Sequence, residues 1–194
     1  MQIFLVRHGE TSWNVEGRLQ GQIDEIQLTS KGMSQAEEIS KKLQQINFDV
    51  IFSSPFVRTL QTTNIINKSK KKEIVLCDNL KERGYGELEG EYAKDGNYNI
   101  KQMWDIDNIY DMHGVERVDF FIKRIHRFID NLIKENKYNK VLLVSHSGVS
   151  IAAKTYFQGI PDDRDLLKLG IGNCEVVTFE SEKEQTLTSE EFEI

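Results

Sequence analysis

Val141-Leu142-Leu143-Val144-Ser145-His146-Ser147-Gly148 is a short apolar run that turns abruptly polar at a histidine. Four successive apolar residues ending at a Ser/Gly turn predict a β-strand covered on both faces. The start of the chain has the same shape, Leu5-Val6-Arg7-His8-Gly9-Glu10-Thr11. Working outward, residues 2–7, 49–53, 73–77, 141–145 and 175–179 are all short and rich in Val, Ile, Leu or Phe, and are predicted as strands.

Helical periodicity fills the intervals. Thr29 is placed to cap a helix reaching about residue 45, with Met33, Ala36, Ile39 and Leu43 on one stripe. Pro55 suits the first turn of a second helix containing Leu60, Asn64 and Ile65. The longest helix, about 116–136, carries Val118, Phe121, Ile122, Ile125, Phe128, Ile129, Leu132 and Ile133 at three-and-four spacing. Lys123, Arg124, Arg127, Asp130 and Lys134 are expected on its solvated side. The alternation predicts an α/β fold, a three-layer αβα sandwich around a mostly parallel sheet. With no linker, repeat or low-complexity block, residues 1–194 are expected to form a single domain. Residues 91–115, irregular and aromatic, form a candidate lid-like insertion or a small core of their own. The Lys-rich stretch 69–73 reads as a solvated turn, and the acidic end after Lys183 as an edge strand or a loose tail.

With 39% hydrophobic and 29% charged residues among 194, a soluble globular protein with a sizeable core is expected. A net charge of −6 argues against nucleic-acid or anionic-membrane binding, though a small anion pocket is compatible with it. Cys77 and Cys174 make no disulfide framework and no CxxC spacing, which fits a reducing, cytoplasmic setting. No run approaches the roughly 20 apolar residues of a membrane span, and the start lacks the pattern of a signal peptide.

Ligands of open α/β sheets bind beyond the carboxyl ends of the strands. Two predicted strands end at His8 and His146, the first with Arg7 beside it. A third ends Ser53-Ser54-Pro55, with Arg58 just after it, and the Gly-punctuated loop after the fourth holds Glu82. Two forked guanidiniums match a phosphate or carboxylate. Phosphoryl transfer asks mainly for charge stabilisation and an in-line nucleophile, which a neutral imidazole supplies. A carboxylic acid can protonate the departing oxygen and then activate water. Such a set needs no metal or other cofactor, and Arg7 and Arg58 would repel a cation.

The block Arg7-His8-Gly9-Glu10-Thr11-Ser12-Trp13-Asn14 resembles the signature of the histidine phosphatase superfamily, in its phosphoglycerate-mutase-like branch. Gly17-Arg18-Leu19-Gln20-Gly21, Leu28-Thr29 with Gly32 and Gln35-Ala36, Ser53-Ser54-Pro55 with Arg58 and Gln61-Thr62, Glu82 with Tyr85-Gly86 and Glu89-Gly90, and Ser145-His146 follow in the same order. The resemblance implies that His8 is the nucleophile that becomes phosphohistidine. It likewise implies that Arg7, Arg58 and His146 hold the phosphoryl oxygens, that Asn14 is a further donor, and that Glu82 gives the proton. Gln20 and Gly21 match a loop lining the pocket, and the N–H after His146, here that of Ser147, helps to bind phosphate. Ser147 departs from the family's more frequent glycine, Ile26-Gln27 replaces its proline, and Gly114-Val115-Glu116 matches its Gly-Glu-Ser only loosely.

Structural roles are expected for other candidates. Glu10 is read as a helix-start or ion-pair partner, Trp13 as packing, His126 as a structural hydrogen-bonder and His113 as a surface residue. Residues 84–90 have the wrong glycine spacing for a dinucleotide loop. The expected activity is hydrolysis of small phosphorylated metabolites. A mutase would want arginines in 91–115, where five acidic residues instead face two lysines. A non-catalytic phospho-ligand module would have no use for Glu82. Oligomeric state is not readable from the sequence.

Overall fold

The computed structural model describes residues 1–94, 98–107 and 113–181. Its sheet comprises β1 (Gln2–Arg7), β2 (Val50–Ser53), β3 (Ile74–Leu76), β4 (Lys140–Ser145) and β5 (Val176–Glu180), in the order β3-β2-β4-β1-β5. The pairs β2/β3, β2/β4 and β1/β4 are parallel, and β5 alone runs antiparallel, against β1. The helices among the described residues are α1 (Ser12–Glu16), α2 (Ser30–Lys42), α3 (Val57–Asn67), α4 (Ile100–Met103), α5 (Val118–Glu135) and α6 (Ser147–Gln158).

Successive strand side chains point to opposite faces, and both faces are covered. Ile3, Leu5, Val141 and Leu143 pack with Phe121, Ile125 and Ile129 of α5 and with Val149 and Ala152 of α6. Val6, Ile51, Leu142 and Val144 pack with Ala36 and Ile39 of α2 and Ile66 of α3. This is the three-layer, mostly parallel α/β arrangement that the alternation predicts.

Four local expectations need correction. Met33 is exposed rather than part of the buried α2 stripe. Pro55 precedes its helix: α3 begins at Val57, whose N–H donates to Asp24 Oδ1 at 2.6 Å, so a carboxylate from another segment caps a helix whose own cap residue, Phe56, cannot. The stretch 69–73 is not merely solvated, because Lys70 Nζ donates to the carbonyls of Leu43, Gln44 and Ile46 just past α2, at 2.7, 2.7 and 2.6 Å. Arg124 and Asp130 of α5 are also engaged. Arg124 binds the Asn79 and Lys81 carbonyls and the Glu116 carboxylate, and Asp130 accepts from Tyr156 Oη.

Within 91–115, Met103 and Trp104 are buried in the α5/α6 core, while Tyr92 is exposed and stacks on Arg18. Tyr110 and Met112 lie outside the described residues, as does the acidic end beyond residue 181.

The register of the parallel strands places the site. Arg7 is paired with Ser145, and Ser53 with Val144. His8 N–H then donates to Ser145 O at 2.9 Å and Ser54 N–H to Val144 O at 3.0 Å, so the three chains leave the sheet side by side. Next to them the start of α2 touches the loop after His8. A methyl group on Gly32 would collide with the Glu10 backbone, and one on Gly9 with the Gly32 carbonyl. Backbone cannot give way as a flexible side chain can, so Gly32→Ala is expected to cost about 1–3 kcal/mol. Urea denaturation checks this, and a stability unchanged from the wild type would contradict the close approach.

Candidate active site

His8 is almost fully buried, and its Nδ1 lies 2.8 Å from the Gly9 carbonyl. A carbonyl only accepts, so Nδ1 carries the proton and Nε2 keeps its lone pair. Burial first, then the Arg58 and Arg7 charges, hold the imidazole well below the ordinary histidine value. It is therefore neutral near pH 7. The His146 ring lies 5.3 Å from it, centroid to centroid, and is kept neutral by the same forces. His146 Nε2 shares a 2.9 Å hydrogen bond with Ser54 Oγ.

Around these neutral rings sit two cations. Arg58 is fully buried, donating through Nη1 to Ile23 O at 2.6 Å and through Nη2 to Gly21 O at 2.8 Å. Its cation lies 4.8 Å from the Phe56 ring centroid. Arg7 Nη1 donates to Ile171 O at 2.8 Å. Desolvation lowers both pKa values, that of Arg58 to about 10, which leaves both charged at neutral pH. Arg7 Nε, Arg58 Nε and His146 Nδ1 are buried without a hydrogen-bond partner among the described residues. Guanidinium donors left so are costly unless an acceptor completes them, and an anion's oxygens fit that need.

Glu82 supplies the carboxyl group. Its Oε1 accepts from Arg83 N–H at 2.9 Å and Oε2 from Gly148 N–H at 3.1 Å, which brings it to the start of α6 beside His146. Burial raises its pKa above the ordinary carboxylate value, overcoming these hydrogen bonds and the opposing pull of Arg58 and Arg7. Glu82, Arg7, Arg58, His8 and His146 thus converge on one rim. Among the described residues no three His, Cys, Asp or Glu side chains gather to hold a metal ion, and a cation at this rim would face two guanidiniums.

The remaining candidates divide into contacts and scaffold. Asn14 is tied into the loop, its Oδ1 accepting from Thr11 N–H at 3.1 Å. Gln20 Oε1 accepts from Thr11 Oγ1 at 2.9 Å, and Gly21 lends Arg58 its carbonyl. Ser147 Oγ approaches Ile171 O at 3.4 Å, so this hydroxyl is turned to backbone. Glu10 pairs with Lys31 at 2.7 Å, and His126 Nε2 meets Ala152 O and Thr155 Oγ1, each at 3.0 Å. His113 is a surface residue 3.5 Å from Glu87.

The model of the "Histidine phosphatase superfamily (branch 1)" matches residues 3–191. The chain belongs to this superfamily. "Uncharacterized phosphatase PhoE" of Bacillus subtilis is 34% identical over 161 residues, covering 81% of this chain and 77% of that protein. "Probable phosphoglycerate mutase GpmB" of Salmonella choleraesuis is 29% identical over 194 residues, covering 97% and 89%. Among solved structures, phosphoserine phosphatase from Entamoeba histolytica in complex with 3-phosphoglyceric acid superimposes with a TM-score of 0.76 at 29% identity, covering 92% of this chain and 90% of that one. A phosphatase-type enzyme follows.

Several superfamily-like residues prove to be supports. Thr62 Oγ1 accepts from Gly9 N–H and donates to Arg58 O, linking the loop after β1 to α3. Gln35 and Gln61 accept from the N–H groups of Glu10 and Leu28, and Glu89 from those of Gln22 and Tyr85. The chemical reading of the sequence missed Ser54, Arg83, Trp104 and Asn173. Ser54 stood inside the Ser-Ser-Pro block, but nothing there shows that its hydroxyl reaches a histidine 92 residues away.

Histidine NMR tests the electrostatics. His8 and His146 are expected to stay neutral at pH 6, and Arg58→Met should raise both midpoints, since it removes a positive charge that disfavours imidazolium. Midpoints near 6.5 in the wild type would refute this environment.

Proposed function

We propose that this enzyme is a metal-independent phosphomonoesterase of the cytoplasm that hydrolyses small phosphorylated metabolites through phosphohistidine at His8. The observation that carries this reading is the His8 Nδ1–Gly9 contact, which leaves a neutral Nε2 lone pair among guanidinium charges. Arg7, Arg58 and His146 would draw the phosphoryl oxygens, with Asn14 and the Ser147 N–H as further donors and the loop of Gln20 and Gly21 closing the pocket. Nε2 attacks phosphorus as the P–O ester bond breaks, and the Glu82 proton passes to the departing oxygen. Glu82, now a carboxylate, then takes a proton from water. That water attacks phosphorus, the P–N bond breaks, and inorganic phosphate leaves neutral His8 behind.

The described part of 91–115, with Trp104, would wall the leaving-group side of this single domain. A methyl group on Gly148 would meet both Glu82 and the edge of Trp104, so the indole stands beside the carboxyl group that would give the proton. A bulky or apolar leaving group fits that wall. The similarity to "Probable phosphoglycerate mutase GpmB" sets mutase chemistry as the rival.

With EDTA present, the wild type is expected to hydrolyse p-nitrophenyl phosphate. His8→Ala should lower kcat by about 10³-fold or more, and Glu82→Gln by about 10²–10⁴-fold. Metal-dependent turnover, or phosphoglycerate interconversion outpacing phosphate release, would overturn the reading.

The pH profile has a worked sign. Depression of the His8 pKa keeps the nucleophile unprotonated below pH 6.5, so activity should persist there. Glu82 must be protonated for the first step. Its raised pKa places the falling limb above the ordinary 4.5, and Glu82→Gln should abolish that limb. An acid limb centred at 6.5 or higher would contradict the assignment.

A further inference from the structure

The turn before β5 reaches back under the site. Arg7 Nη1 rests on Ile171 O, and Cys174 N–H donates to Arg7 O at 3.0 Å. Between them Asn173 Nδ2 lies 3.0 Å from the His8 carbonyl and 3.1 Å from Asn14 Oδ1.

These contacts determine each other in sequence. The His8 carbonyl can only accept, so the group facing it is the N–H₂ of Asn173. The second hydrogen of that same nitrogen then points at Asn14, which must present its oxygen. Thr11 N–H, at 3.1 Å from the same Oδ1, makes the same demand. Both lone pairs of Asn14 Oδ1 are thereby taken, and what Asn14 has left for a ligand is its own N–H₂. Thr11 N–H alone would hold that oxygen by a single bond; Asn173 adds the second, against a turned amide whose outward oxygen would repel an anion.

We propose that Asn173 is a positioning residue that holds the Asn14 amide as a hydrogen-bond donor to the phosphoryl group and steadies the backbone of the nucleophile. It need not touch substrate. The inference rests on the proposed phosphate pocket and goes beyond it, since neither the motif blocks nor the strand-end histidines point to Asn173.

A double-mutant cycle on the full chain tests it: wild type, Asn14→Ala, Asn173→Ala and the double variant, each checked for its folded circular-dichroism spectrum. Two readouts are taken, calorimetric affinity for orthovanadate and kcat/KM for p-nitrophenyl phosphate. Asn173→Ala is expected to weaken vanadate binding about tenfold with Asn14 present and less than twofold without it, because a donor to a charged oxygen is worth that much. Asn173→Asp puts a second acceptor opposite Asn14 Oδ1 and should weaken it further. Equal losses in both backgrounds would overturn the proposal, as would an Asn14→Ala variant that binds vanadate like the wild type. Should Asn173→Ala not fold, Asn173→Ser stands in for it, and the same coupling is read. A wild type that binds vanadate without turning over the ester would sink the phosphatase reading alone, leaving the coupling measurable in binding.

Discussion

Two positive charges held together largely out of water set the terms for the rest of this structure. Burying a guanidinium costs several kcal/mol before its partners respond, and a second one nearby adds repulsion. The fold meets that cost with backbone carbonyls: Gly21 and Ile23 for Arg58, Ile171 for Arg7. Carbonyls accept hydrogen bonds without cancelling charge, as carboxylates would. Burial first, and then the same field, keep the neighbouring histidines neutral, so the positive potential is left for a ligand. Glu82 is the counterweight, coupled to both arginines yet desolvated enough to hold a proton more readily than a surface carboxylate.

Glu82 is itself placed by a latch that begins on α5. Arg124 grips the carbonyls of Asn79 and Lys81 together with the Glu116 carboxylate, and Glu116 accepts from Gly84 N–H. Arg83 Nε donates to Glu116 O, while its guanidinium lies over the Trp104 ring, 4.9 Å from the centroid. Trp104 in turn donates to Tyr85 Oη at 3.1 Å. Glu82, Trp104 and the long helix thus form one mechanical unit. This explains why Arg124 is not free on the solvated side of an otherwise regular amphipathic helix.

Much of this was legible in the residue order. An apolar strand stopped by a histidine declares both its own burial and a polar exit, so β1, β4, His8 and His146 could be placed from the sequence. Arg58 and Glu82 followed from their positions after two more strands. What stayed hidden depends on partners without a side-chain signature. The carbonyl of Ile171 reaches Arg7 across 164 residues, and no composition or period reveals it. Lys70 looked like one more surface lysine until three carbonyls at the end of a helix were found around it. Met33 failed for the opposite reason: spacing put it on the apolar stripe, yet the helix start is turned toward the loop after β1 rather than the core.

The strand order has a consequence for how the molecule is made. β1 is the earliest of the described strands, but its two sheet neighbours are β4 and β5, the last two of them. Synthesis proceeds at ~5–20 residues per second, so β1 waits until β4 has been made before it has a sheet neighbour. A nascent polypeptide without β4 and β5 therefore leaves β1 with both edges bare, and the rim that Arg7 and His8 share with His146 is assembled only when those late strands are threaded beside it.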